Sequence, residues 1–268
     1  MQAGKGNSGQ RAGHRELDRL VADTAHAVGA YACLLYLAAP DRSALCLEVA
    51  AGLPPQPLSP WQRVGLSVPL PVNDAVRERR LVWVGSGEQM ARRYPRAALA
   101  VPYHYALAAA PVLDGDTARG ALLLLWSGRH PDRLALRQRT RLRAAADAVA
   151  RQLRRAAAEG HPLRPCGRLR LLSEPAPEVA PEQSLAAAGF AERLPEGCCA
   201  LDLEGRITFV TRTAAELVGQ SADRLLGALP WDVLPWLHDP VFEDRYRSAL
   251  ISRLPTAFPA LRPPDTWL

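Results

Sequence analysis

Apolar residues along the chain switch between two spacings, and the switches divide it into elements. From His14 onward, Leu17, Leu20, Val21, Thr24, Ala25 and Val28 recur three and four residues apart, which predicts an amphipathic helix stopped by Gly29. Residues 1–13 are polar and glycine-rich and read as a flexible tail. Residues 31–37 and 45–50 read as two strands joined by the turn Pro40-Asp41-Arg42-Ser43. A proline-rich loop over 53–60 leads to a short strand near 66–70, a short helix over 73–79 with Asn73 as N-cap, and a short strand over 81–84. Residues 86–96 predict a second short helix that ends before Pro95. Strands over 105–112 and 118–126 make the clearest hairpin, joined by Asp114-Gly115-Asp116. A long helix over 131–158 follows, with Pro131 acceptable in its first turn.

Residues 159–181 hold five prolines and no sustained apolar period, the pattern of a semi-rigid linker. The pattern resumes with a helix over 184–194, a strand over 198–203, the turn Asp202-Leu203-Glu204-Gly205 and a second strand over 206–211. Helices follow over 213–218, 221–226 (Ser221 as N-cap) and 239–252. The fold class is α+β: two domains, 14–158 and 182–268, each an antiparallel sheet flanked by helices.

The order and spacing of the first set, about 15–155, resembles a GAF domain. The opening helix and hairpin carry it, with Val64-Gly65-Leu66-Ser67-Val68-Pro69-Leu70, then Asp74-Ala75-Val76, and the hairpin within 108–126. Residues 182–268 resemble a PAS domain. There the run Asp202-Leu203-Glu204-Gly205-Arg206-Ile207-Thr208-Phe209-Val210 is followed by Ala214-Ala215-Glu216-Leu217-Val218-Gly219 and Asp223-Arg224-Leu225-Leu226-Gly227. Gly219 and Gly227 end consecutive short helices, as that family requires; Thr211-Arg212 departs from it, since the family commonly has Asn after the second strand. A PAS sheet has five strands, and the chain stops at Asp265-Thr266-Trp267-Leu268 where the fourth should begin, so the sequence is expected to be a fragment, the alternative being a second domain that lacks two central strands. The resemblances imply a sensory, dimerising input module of a bacterial signal-transduction protein, acting on an absent output domain such as a serine/threonine phosphatase or histidine kinase. The alternative is a ligand-free scaffold for dimerisation or protein interaction.

Composition changes this picture little. Of 268 residues, 48% are apolar and 22% charged, enough for a sizeable core. The net charge of +6 is local: residues 129–170 carry 12 Arg against 3 acids, whereas 182–268 carry 8 Arg against 12 acids. Thirty-two of the 33 basic residues are Arg, a bias that with abundant Ala, Pro and Gly suggests a GC-rich genome rather than phosphate recognition. No apolar run approaches a membrane span and no secretory leader opens the chain, so a cytoplasmic location is expected. Cys33, Cys46, Cys166, Cys198 and Cys199 are odd in number and include no C-x-x-C pair. That pattern argues against a disulfide framework and a zinc site and favours structural thiols.

No phosphate-binding loop, nucleophile elbow, metal cluster or phospho-acceptor histidine motif stands in the sequence, so no catalytic residue and no metal site are expected. The first domain's candidate ligand pocket lies between Trp61 and His104, with Trp83, Tyr94, Tyr103, His104 and Tyr105 as lining residues. Phe209, Trp231, Trp236 and Tyr246 are the second domain's candidates, beside Leu217, Leu225, Leu234 and Phe242. In both places the plain alternative is a packed core. No Cys stands in 53–120 to attach a bilin, and none in 227–232 to serve flavin photochemistry; a haem on His104 is a minor reading and the cofactor stays unnamed. Leu142, Ala146, Val149, Leu153 and Ala156 recur at 4-3-4-3 spacing, a candidate seam for a homodimer. The alternative there is packing on the domain's own sheet. Arginines on the other faces of that helix invite nucleic acid, but with no helix-turn-helix and no interleaved aromatics a solvated face is the favoured reading. A small molecule or a protein is the expected partner.

Overall fold

The computed structural model describes residues 3–163, 165–172, 180–202 and 204–268. Residues 173–179 of the expected linker, with Arg164 and Leu203, lie outside the described residues. The chain divides into two compact units, residues 1–174 with 251–254, and 175–250 with 255–268.

The first unit runs α1 (Ala3–Val28), β1 (Ala32–Ala38), β2 (Ala44–Ala51), α2 (Pro55–Leu58), β3 (Arg63–Gly65), α3 (Pro71–Glu78), β4 (Val82–Val84), α4 (Gly87–Arg93), α5 (Pro95–Ala100), β5 (Tyr105–Asp114), β6 (Thr117–Ser127), α6 (Leu136–Ala158) and β7 (Arg170–Leu172). Its sheet is ordered β3-β2-β1-β6-β5-β4 with every neighbour antiparallel, and β7 pairs with β2 in parallel. The β5–β6 hairpin closes where expected: Asp114 pairs with Thr117, and Gly115 takes a φ of +57° that favours glycine.

Several expectations shift. The tail is helical from Ala3, since extending a helix already nucleated by the buried stripe Leu17, Val21, Ala25 and Val28 adds a hydrogen bond per residue. The short strand lies at Arg63–Gly65 rather than 66–70. Asn73 is not the N-cap of α3; Leu70 holds that position and Pro71 opens the helix. Asn73 is fully buried, and its Nδ2 donates to Gly65 O at 2.9 Å and Val68 O at 2.8 Å, clamping the loop that precedes α3. The helix expected over 86–96 is two helices, broken at Tyr94 before Pro95.

Both faces of the central strands are apolar. Leu34, Tyr36, Leu107 and Ala109 pack with Val72, Ala75, Met90 and Ala97 of α3, α4 and α5. On the other face Cys33, Leu35, Ala106, Ala108, Leu122 and Leu124 pack with Leu17 and Val21 of α1 and with α6. This consumes the candidate dimer seam. Leu142, Ala146, Val149 and Ala156 are buried inside their own unit, and Leu153 packs half-buried beside them. The stripe is core because a sheet apolar on both sides needs a helical layer on each. The polar side of α6 does local work. Gln138 Nε2 donates to Val28 O at 3.2 Å, beside Trp126 Nε1 of β6 at the same distance, and Arg141 donates to Ala27 O, satisfying carbonyls left open at the end of α1.

The cysteines also depart from expectation, because Cys46 of β2 and Cys166 are disulfide-bonded across 120 residues of sequence. The supposed linker returns to the sheet: β7 pairs Arg170, Leu171 and Leu172 with Val49, Ala50 and Ala51. A bulge in β2 opposite Leu35 and Tyr36 leaves Glu48 unpaired in the ladder and buried, its Oε1 accepting from Cys166 N at 2.6 Å. Burial raises the Glu48 carboxyl above the usual range, against smaller opposing effects of that hydrogen bond and of Arg170. Cys33 is buried as a small hydrophobe.

The second unit contains α7 (Pro181–Ala191), β8 (Cys199–Leu201), β9 (Ile207–Val210), α8 (Arg212–Val218), α9 (Ala222–Leu225), α10 (Pro230–Val233), α11 (Pro240–Ser252), β10 (Leu261–Arg262) and β11 (Thr266–Trp267). Two antiparallel hairpins, β8–β9 and β10–β11, form separate two-stranded sheets. Ile207, Ala215, Leu225 and Leu234 make its core. Thr211 supplies the cap of α8 in place of the Asn common in PAS domains: its Oγ1 accepts from Ala214 N at 3.2 Å and from Cys198 N at 3.0 Å.

Two outcomes test this fold. A Cβ on Gly120 would lie 2.0 Å from Tyr36 O, so Gly120→Ala must push β1 from β6. The expected cost is about 2–4 kcal/mol, a melting temperature roughly 5–15 °C lower by circular dichroism. For Glu48, a folded pKa above the unfolded one stabilises below the unfolded range, and the benefit is lost as pH rises through the folded value. The melting temperature of Glu48→Gln relative to the native protein should therefore increase between pH 4 and pH 7; a constant difference contradicts the burial argument.

Candidate functional site

The corner between α4 and α5 exists because Pro95 cannot continue the first helix yet opens the second. Ser86 caps α4, its Oγ accepting from Gln89 N at 3.3 Å. Tyr94 sits at the corner, nearly fully buried, and donates from its hydroxyl to Asp74 Oδ2 at 2.7 Å, which pins the corner to α3. Burial, then this hydrogen bond, pushes the Tyr94 phenol upward, so it stays protonated.

Behind the corner, the β4–α4 turn is tied to the segment that leads into α6. His130 N donates to Gly85 O at 2.8 Å, Gln89 Nε2 to Asp132 Oδ1 at 2.7 Å, and Trp83 Nε1 to Pro131 O at 2.9 Å. A Cβ on Gly85 would meet Pro131 O at 2.6 Å, so the two backbones touch there.

In front of the corner opens a cleft of about 620 Å³. Met90, Val101, Leu99 and Tyr105 give it apolar walls, and Ser86, His104 and Arg129 are among its polar lining residues. Burial pushes the Tyr105 phenol up to about 12, which keeps it a neutral hydrogen-bond donor. Leu99 is 80% exposed, an uncovered apolar side chain on the rim of a concave site.

Three of the five sequence candidates, Tyr103, His104 and Tyr105, line this cleft; Trp83 and Tyr94 do not. Trp83 alternates with Val82 and Val84 along β4, so it faces the α1–α6 side, edge-on to Trp126 at 5.4 Å between ring centroids. Tyr94 is a buried strut. Met90, Leu99 and Arg129 were missed, because nothing in an isolated Met, Leu or Arg signals a pocket. The break at Pro95 was the available clue.

The second unit has a shallower concavity of about 490 Å³, lined in part by Glu192, Val210, Arg212, Gln220 and Ser221. Phe209, Trp231, Trp236 and Tyr246 do not line it. Trp231 lies against Tyr246 with ring centroids 5.4 Å apart and planes tilted by 55°, and Trp236 packs on the Ile207–Leu225 cluster, so both serve as packing. Cys198 and Cys199 carry free thiols. Among the described residues no group of three His, Cys, Asp or Glu could hold a metal ion, and no helix is long and apolar enough to cross a membrane.

Residues 191–265 match the family model described as PAS fold. The chain is similar to the GAF domain of an Acinetobacter phosphoenolpyruvate-protein phosphotransferase (19% identity, TM-score 0.44, covering 59% of this chain and 95% of that one). It is similar also to the second GAF domain of DevS from Mycobacterium smegmatis (17% identity, TM-score 0.43, 55% and 97%). A domain of a putative two-component sensor histidine kinase from Sinorhizobium meliloti is a further similar structure (14% identity, TM-score 0.43, 55% and 93%). No curated protein matches the chain. The PAS resemblance of the C-terminal residues is met by that family model, and GAF domains are among the solved structures similar to this chain.

Tyr94→Phe separates strut from ligand contact. Loss of the hydroxyl leaves Asp74 short of one donor and should cost about 1–2 kcal/mol, a melting temperature roughly 3–6 °C lower, with the fold retained. An unchanged melting temperature means that Tyr94 is not a strut.

Proposed function

We propose that the chain is the sensory part of a bacterial, cytoplasmic signal-transduction protein, with a GAF-like unit that binds a small, largely apolar molecule, followed by a PAS-like unit. The observation that carries this reading is the cleft at the α4–α5 corner: concave, apolar-walled and edged by His104, Arg129 and Ser86, which suits a ligand with one polar or anionic end. A ligand that moves α4 would act on the turn joined to 130–132 by three hydrogen bonds, and that segment runs directly into α6. The signal then passes as a shift of α6 on its sheet toward an output domain outside these residues, which is in keeping with a kinase or phosphatase. The chain itself carries no catalysis in this reading. It acts as a homodimer whose interface lies elsewhere than the buried α6 stripe.

Native mass spectrometry and an absorbance scan of the purified full chain test the ligand directly. The expected result is a co-purifying small mass in the native protein that is absent from Ala98→Trp, a variant that fills the cleft wall, when both are folded by circular dichroism. The same mass on both proteins, or bare protein together with no melting shift against a panel of small carboxylated apolar compounds, rejects the ligand reading. A scaffold that holds a protein partner is then the better account.

A further inference from the structure

The disulfide lies at the far edge of the sheet from the cleft. Cys46 is buried in β2 while Cys166, its bonded partner, is exposed on the segment that returns to the same strand. Arg63 of the neighbouring strand β3 places Nη1 3.3 Å from Cys166 Sγ and 3.6 Å from Cys46 Sγ. Cys166 holds a φ of +69°, a left-handed conformation that is costly for a residue with a Cβ. Its N–H is occupied by the buried Glu48 carboxylate. Beyond it, the returning segment is held by the three-residue pairing of β7, by the Arg170–Asp18 ion pair at 2.8 Å and by the partly buried Leu169 and Leu172.

We propose that Cys46–Cys166 is a site of thiol–disulfide exchange, opened by a dithiol reductant, and that its bond latches residues 165–172 to the edge of the first unit's sheet. The geometry gives each sulfur a role. A reductant thiolate can reach only the exposed Cys166 Sγ. Attack there forms a mixed disulfide with Cys166 and breaks the Sγ–Sγ bond, and Cys46 leaves as a thiolate beside the Arg63 guanidinium. The reductant's second thiol then attacks its own sulfur in the mixed disulfide and expels Cys166 as a thiolate. Two electrons pass from reductant to protein, the reductant ends as its disulfide, and the two protons it gave up go to the cysteines. Exchange with an oxidised dithiol runs the same steps backwards and closes the latch.

Opening removes the one covalent tie of a segment whose Cys166 backbone is already unfavourable, so the β7 pairing should fray. Arg168 and Arg170 lie within that segment, which makes trypsin a reporter of its release.

The test uses the full chain. Non-reducing peptide mapping of the oxidised protein should find Cys46 and Cys166 in one linked pair of peptides, with Cys33, Cys198 and Cys199 alkylated separately. Under increasing dithiothreitol, two further thiols per chain should become labelled, both mapping to this pair, while circular dichroism stays native. Tryptic cleavage after Arg168 and Arg170 should then rise on the order of ten-fold. Cys166→Ser, which alters the exposed partner and spares the core, should show the fast cleavage with no response to dithiothreitol. Arg63→Gln should open more slowly, by several-fold, because the leaving thiolate loses its counter-charge. Separately alkylated Cys46 and Cys166 in the oxidised protein, opening only when the circular dichroism is lost, or equal cleavage rates in both redox states overturns the proposal. An opening rate for Arg63→Gln equal to the native one overturns the role of the guanidinium.

Discussion

A sheet with no polar face governs the first unit. β1, β6 and β5 carry Leu, Ala, Cys and Val outward on both sides, so each side must be covered, and the two long helices among the described residues of this unit cover one of them. α1 and α6 go there together. The alanines of β5 on that face, Ala106, Ala108 and Ala110, present little bulk where α6 lies, which suits an α6 stripe that itself includes Ala146 and Ala150. The other face receives only short helices, and short helices leave corners. The cleft at the α4–α5 corner follows from that inequality of cover.

The same constraint explains which parts of the fold were legible in the sequence. The α1 and α6 stripes predicted helices correctly, since a three-four spacing reports an apolar face. What that face meets is not in the spacing: a stripe that covers a sheet and a stripe that makes a dimer have the same period. The β5–β6 hairpin was legible because the turn at Gly115-Asp116 and the long apolar runs agree. The second unit was legible where local backbone chemistry decides: Gly219 and Gly227 adopt the positive φ expected of helix ends, whereas Thr211, read only as a departure from the family pattern, turns out to cap α8. Asn73 misled for a related reason. Its chemistry suits an N-cap, but Pro71 two residues earlier starts the helix, and the side chain turns back to hold the preceding loop.

The candidate pocket was expected where loops and short helices cover the sheet, and of the aromatic residues named for it Tyr103, His104 and Tyr105 line the cleft. Trp83 and Tyr94 were named with them and do not line it, because an aromatic ring serves core and pocket equally well. Alternation along β4 places Trp83, and one hydrogen bond to Asp74 places Tyr94. Both facts are tertiary. The disulfide was illegible for a stronger reason: the proline-rich stretch around Cys166 has no periodic pattern, and β7 is three residues long, too short to leave one. Its pairing depends on β2 being bulged at Glu48 and open along Val49–Ala51, in a strand whose Cys46 stands 120 residues before Cys166.

Cleft and latch sit toward opposite edges of this one sheet, the cleft on the side of β4 and the latch where β3 and β7 flank β2. The strands between them are buried on both faces, and a packed interior shifts between discrete arrangements rather than bending smoothly. A ligand therefore changes the latch only if it binds one arrangement of the sheet better than another. α6 borders both regions without belonging to the sheet. Its N-terminal approach is tied to the α4 turn through Gly85, Gln89 and Trp83, and its C-terminal end leads into the segment that Cys166 fastens to β2. α6 thus spans the face of the sheet between the two regions, lying on the small side chains of Ala106, Ala108 and Ala110, and a shift of the sheet's arrangement would act on it along that whole contact.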